Sequence, residues 1–118
     1  MARVQTLLLD QKKLIKMAEM REELKILYNQ IQTLDFWAFA RWGVKSYVYD
    51  NEKYQLWLLV KGQHKQSKII VAYDLGRDTY NIEYARTTRN HQWEQLKYVE
   101  DVYAEDLVQI IDDMMNNY

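Results

Sequence analysis

The sequence has no cysteine, which excludes disulfides and thiolate-based zinc sites and fits a reducing compartment. Proline is absent as well, and glycine occurs only three times. A phosphate-cradling loop needs several glycines for close backbone approach, so none is expected. Serine is restricted to Ser46 and Ser67, which leaves little for a serine nucleophile. His64 and His91 fall in separate loops without partners three or four residues away, so no metal site is expected. Apolar runs fall well short of the roughly 20 residues that span a bilayer. Leu7, Leu8 and Leu9 are followed by Asp10, Lys12 and Lys13, too short an apolar stretch for a signal peptide. The expectation is a cytoplasmic protein without cofactor or membrane segment.

The 118 residues suit one domain, and 48% hydrophobic with 28% charged residues indicates a globular chain. Ten tyrosines and four tryptophans exceed what a small core needs, so some rings are expected at a surface or interface. The net charge of −1 conceals an asymmetry. Residues 1–42 hold seven Lys/Arg against five Asp/Glu, and residues 43–99 hold nine against six. Residues 100–118 hold six acids and no base. A solvated helix face is the plain reading of this acidic block. The sharper one is an acidic surface for a basic partner, or a nucleic-acid mimic, resting on Glu105, Asp106, Asp112 and Asp113.

The pattern divides into helix (1–42), sheet (43–99) and an acidic C-terminal helix (100–118), an α+β arrangement in a single domain. Residues 4 to 34 lack glycine and are dominated by strong helix formers, which predicts one long helix. From Met17 its apolar positions follow a heptad: Met17, Met20, Leu24, Leu27, Ile31, Leu34, then Ala38. Leu7, Leu8, Leu14 and Ile15 form a second patch. Such a stripe most often lies across its own sheet; alternatively Met20, Leu24, Leu27 and Ile31 pair with a second copy in a homodimer. A short helix, Phe36 to Trp42, is expected to be a buried hinge, capped by Thr33 or Asp35 and closed by Gly43 in the left-handed region.

Val44 to Tyr84 supplies four runs rich in Val, Ile, Tyr and Trp, separated by turn residues, the pattern of an antiparallel β-meander. The strands are expected at Val44–Tyr49, Tyr54–Lys61, Lys68–Tyr73 and Thr79–Arg86, with a fifth at Trp93–Val99. Gly76 is expected to allow positive φ in its turn. Asp101 is expected to cap a helix from Val102 to Asn116, with Tyr103, Leu107, Ile110, Ile111 and Met114 on its apolar face.

Alternation assigns Leu56, Leu58, Val60, Ile69, Val71, Tyr80, Ile82 and Tyr84, with Tyr54 and Tyr73, to the core face. The opposite face would then carry Lys45, Tyr47, Tyr49, Trp57, Lys61, Trp93 and Lys97, with Leu59, Lys68 and Ile70. Aromatic rings flanked by lysines suit a protein interface. They also suit a single nucleic-acid strand whose bases stack while lysines follow the phosphates. Protein binding ranks first because the chain has no positive charge excess. Asp74 and Asp78 share a turn and Asp112-Asp113 a helix end, positions that carboxylates occupy for structural reasons, so no catalytic pair is read and the chain is expected not to be an enzyme.

Several short strings carry a resemblance. They are Gly43-Val44-Lys45-Ser46-Tyr47-Val48, then Lys68-Ile69-Ile70-Val71, then Asp78-Thr79-Tyr80-Asn81-Ile82-Glu83-Tyr84, and Asp101-Val102-Tyr103 with Leu107. Over about residues 43–111 the chain resembles a set of small proteins of phages, plasmids and bacterial mobile elements. The resemblance implies such an origin but no assigned mechanism. Binding to a host protein, including inhibition of a defence system, is the function that such company suggests.

Overall fold

The computed structural model describes residues 15–61 and 66–116. Its elements run α1 (Glu22–Leu34), α2 (Ala38–Trp42), β1 (Val44–Asp50), β2 (Gln55–Val60), β3 (Ser67–Asp74), β4 (Thr79–Thr87), β5 (Trp93–Val102), a 3₁₀ turn (Ala104–Asp106) and α3 (Leu107–Asn116). The five strands form one antiparallel sheet in the order of the chain. Every turn is short, so each strand pairs with its predecessor, as the meander pattern requires.

One core joins the helices to one face of the sheet. Leu24, Leu27 and Ile31 of α1 and Leu107, Ile111 and Met114 of α3 pack with Leu56, Leu58, Ile69, Val71, Ile82 and Tyr84. β2 shows why: its burial alternates strictly, with Leu56, Leu58 and Val60 inward. Fully burying each such side chain contributes about 1.5–3 kcal/mol. Met20, Leu24, Leu27 and Ile31 are all buried here, so the stripe lies across its own sheet and is not free to pair with a second copy. Tyr54 and Tyr73 are half-buried at the end of the core face, their rings 6.5 Å apart.

The expected single long helix is broken. Residues 15–19 are helical, Met20 and Arg21 are not, and α1 begins at Glu22. Arg21 has ψ 145°, outside helical space. The β1–β2 turn imposes this break. Arg21 donates its backbone N–H to Asn51 Oδ1 and its guanidinium to the Asn51 carbonyl, both at 2.9 Å. Asn51 Nδ2 in turn donates to the Glu19 carbonyl at 3.0 Å. The Arg21 guanidinium also reaches the Tyr54 hydroxyl at 2.6 Å and lies over its ring. Tyr54 itself has φ 56°, a costly conformation for a bulky residue, and these contacts hold it. Ile15 is exposed. Residues 4–14, with Leu7, Leu8 and Leu14, and His64 lie outside the described residues.

Other boundaries differ for local reasons. Gly43 closes α2 at φ +69°, as expected, and its carbonyl accepts from the Lys61 N–H at 3.0 Å. Phe36 and Trp37 are not a buried hinge: they are 72% and 68% exposed, because α2 needs only Ala38 and Trp42 inward. Asp35 does turn the chain there, accepting the Trp37 N–H at 2.9 Å. In the β3–β4 turn the positive φ falls on Asp78 rather than Gly76. β5 continues to Val102, so Asp101 is not a helix cap. Asp101 instead has φ 58° and accepts the Arg77 guanidinium at 3.0 Å, while Tyr103 is exposed. Among the described residues, no helix is long and apolar enough to cross a membrane.

Candidate functional site

The face of the sheet turned away from the helices is the candidate site. Antiparallel partners share a face, so the register defines its composition. One row runs Val48–Trp57–Ile70–Glu83–Tyr98 across all five strands. The next runs Ser46–Leu59–Lys68–Ala85–Gln95. None of these side chains belongs to the core cluster that takes in the helices. Val48, Trp93 and Tyr98 are 46%, 44% and 47% exposed, large for apolar and aromatic groups on one continuous face.

Lys68 organises the centre. Its ammonium lies 4.1 Å from the Trp57 ring centroid and 4.2 Å from that of Trp93. The residue is only 5% exposed. Burial pushes the amine below the usual lysine value, while the nearby Glu83 carboxylate pulls the other way. Two indole faces take the place of water around this cation. Trp57 is fixed further by its indole N–H, which donates to Gln55 Oε1 at 3.0 Å. The result is a rigid aromatic platform with a screened charge inside it.

Three of the seven residues expected on this face, Tyr47, Tyr49 and Lys97, are on the other, and Lys45 is at its rim. The β1–β2 register shifts between Val44 and Ser46, so Lys45 sits at a bulge. One extra residue reverses the alternation of everything after it. Tyr47 and Tyr49 therefore pair with Leu58 and Leu56 and pack against the core. Tyr47 meets the Tyr28 ring at 5.2 Å, and its backbone carbonyl accepts from the Lys16 ammonium. Burial pushes both the Tyr28 and Tyr47 phenols up. A second shift, between Tyr84 and Ala85, sets Lys97 opposite core-facing Tyr84 and takes it off the outer face. Lys45 and Lys61 are exposed at one end of the sheet, and Trp57 and Trp93 lie where alternation placed them. Val48, Glu83 and Tyr98 were missed on this face. Glu83 follows from simple alternation along β4, whereas Val48 needs the bulge in β1 and Tyr98 the register shift in β5.

The acidic block is not one surface. Asp112 accepts two bonds from Arg41, at 3.1 and 2.9 Å, and one from the Trp42 indole at 2.7 Å. Arg41 also pairs with Asp35 at 2.9 Å, and both carboxylates hold its guanidinium charged. Asp112 is thus a tie between α2 and α3 and is not available to a basic partner. Asp113 accepts from Gln109 at 3.1 Å, and Glu105 and Asp106 are exposed. His91 is exposed at φ 60°, and among the described residues no three His, Asp or Glu side chains converge on a common point.

Compared with known proteins, the chain matches no family model, no curated protein and no solved structure.

Proposed function

We propose that this chain is a non-catalytic protein-interaction module that binds through the outer sheet face. The supporting observation is that exposed Val48 and Tyr98 share a row with half-buried Trp57, with exposed Trp93 beside it, on a face that no described helix covers. Rigid aromatic side chains lose little entropy on binding and are the usual anchors of such contacts. The resemblance to phage and mobile-element proteins makes a bacterial host protein, such as a defence component, a natural place to look for a partner.

Single-stranded nucleic acid is the second reading, favoured by Lys45, Lys61 and Arg89 at the end of the sheet nearest Trp93. It ranks lower because Lys68 already occupies a face of each indole, and Glu83 stands in the same row as Trp57. The test places a photo-crosslinking side chain at Val48 or Leu59 in bacterial cells, with Glu105 as the control position. A protein adduct from the outer positions and none from the control is expected. Anisotropy of a labelled mixed-sequence strand provides the other arm. Strand binding that drops steeply between 50 and 200 mM salt, by about 0.7 log units per neutralised phosphate and log unit of salt, and is lost in Trp57→Ala, would replace this proposal with the nucleic-acid one.

A further inference from the structure

Resting on that reading of the outer face, we infer that the face takes a second copy of this chain. The two sheets stack outer face to outer face, with one copy reversed end for end along the strands.

Three features lead there. The sheet edges are poor sites for association. The β1 edge carries a bulge, and the Tyr47 carbonyl on it is already bonded to Lys16. The β5 edge carries two register shifts and the charges of Glu94 and Lys97. Bulges and edge charges are how natural sheets resist pairing with another strand. The helical stripe is buried in the core.

Its charge is polarised along the strands. The end formed by residues 50–54, 74–78 and 100–101 has six carboxylates against two cations. Among the described residues the opposite end has Lys45, Lys61 and Arg89, while Arg86 and Glu94 pair with each other in a row that faces the core side. A strand of about seven residues separates the ends by about 23 Å. That exceeds the Debye length of about 8 Å at physiological salt, so each end acts as its own local charge. Stacking in the same direction sets acid on acid. Reversing one copy sets acid on base at both ends, with Glu52 over the partner's Lys45 and Glu100 over the partner's Arg89. The surface is its own electrostatic complement, as an isologous interface requires.

The size of the face sets the strength. Five strands about 4.8 Å apart and about 23 Å long give a footprint of about 550 Å² per copy. The pair then buries about 1,100 Å², at the lower limit for a specific interface, so the dimer is reversible.

Sedimentation equilibrium of the full chain at low salt, up to about 1 mM, tests this. The mass is expected to rise with concentration to twice that of the chain, with dimerisation about tenfold weaker at high salt. Lys45→Glu with Arg89→Glu, and separately Glu52→Lys with Glu100→Lys, should each give a monomer. Mixing the two variants one to one should restore the doubled mass, with circular dichroism showing both folded. A monomer at every concentration, or a mixture no heavier than its components, overturns the inference. If the outer positions nevertheless crosslink to a different protein, only the second copy is lost and the interaction face stands. A dimer indifferent to Trp57→Ser and to both charge variants lies on another surface and removes the outer-face reading too.

Discussion

Replacing Asp112 by alanine, beside the same change at Asp113, separates a structural acid from a solvated one. The two residues are adjacent and chemically identical, yet only Asp112 accepts the indole N–H of buried Trp42. Stranding a buried donor costs about 1–3 kcal/mol. The Asp112 side chain is 22% exposed, so water can partly follow it out and the lower half of that range applies. The Arg41 pair is more exposed and adds about 0.2–1 kcal/mol. The expected loss is about 2 kcal/mol, or about 8 °C in Tm for a chain of 118 residues. Asp112→Asn keeps an acceptor for the indole and is expected to lose about 1 kcal/mol. Asp113→Ala is expected to stay within about 0.5 kcal/mol of wild type. Urea denaturation measures all three. If Asp112→Ala and Asp113→Ala agree within about 0.5 kcal/mol, the tie between α2 and α3 carries no weight in solution and the reasoning fails.

Asn51→Ala removes the acceptor and donor that hold Arg21 and Glu19. Amide exchange at Arg21 is expected to quicken at least tenfold, and an unchanged rate would mean that the break does not depend on Asn51. Gly43→Ala forces a Cβ into the left-handed region, 3.2 Å from Lys61 Cβ, at a cost of about 1–2 kcal/mol. Gly76→Ala meets only Asp74 Oδ1 at 3.5 Å and is expected to melt like wild type. Tyr73 donates to Asp78 at 2.6 Å, and its phenol is pushed up from 10.0 to about 12. The folded state therefore holds that proton more tightly, a contribution intact below pH 10 and lost as pH climbs towards 12. Stability should fall less steeply across that window in Tyr73→Phe; equal slopes in urea midpoints against pH would contradict the assignment.

The meander could be read from the sequence because alternation and turn chemistry act locally. Leu56, Leu58 and Val60 announce a buried strand face wherever they occur, and Asp74 with Gly76 announces a turn. The site was only partly readable. Trp57, Lys68 and Trp93 follow from alternation, but their meeting around one ammonium needs the four strands β2 to β5 in register. Tyr47 and Tyr49 were placed on the wrong face because one bulge residue, Lys45, leaves no mark in composition. Helix propensity over residues 15–34 was equally silent about Arg21, whose conformation is set by a turn 30 residues away.

The sequence by itself determined the class of the fold: which runs become strands, which become helices, and which apolar positions must be buried. These follow from periodicity and propensity, which each segment carries within itself. Only the tertiary structure decided where the helix breaks, which face Tyr47 and Lys97 join, and that Asp112 is a tie and not part of an open acidic surface. Those outcomes depend on single hydrogen bonds and one-residue register shifts between segments far apart in the chain. Their energies exceed the small local preferences that they override.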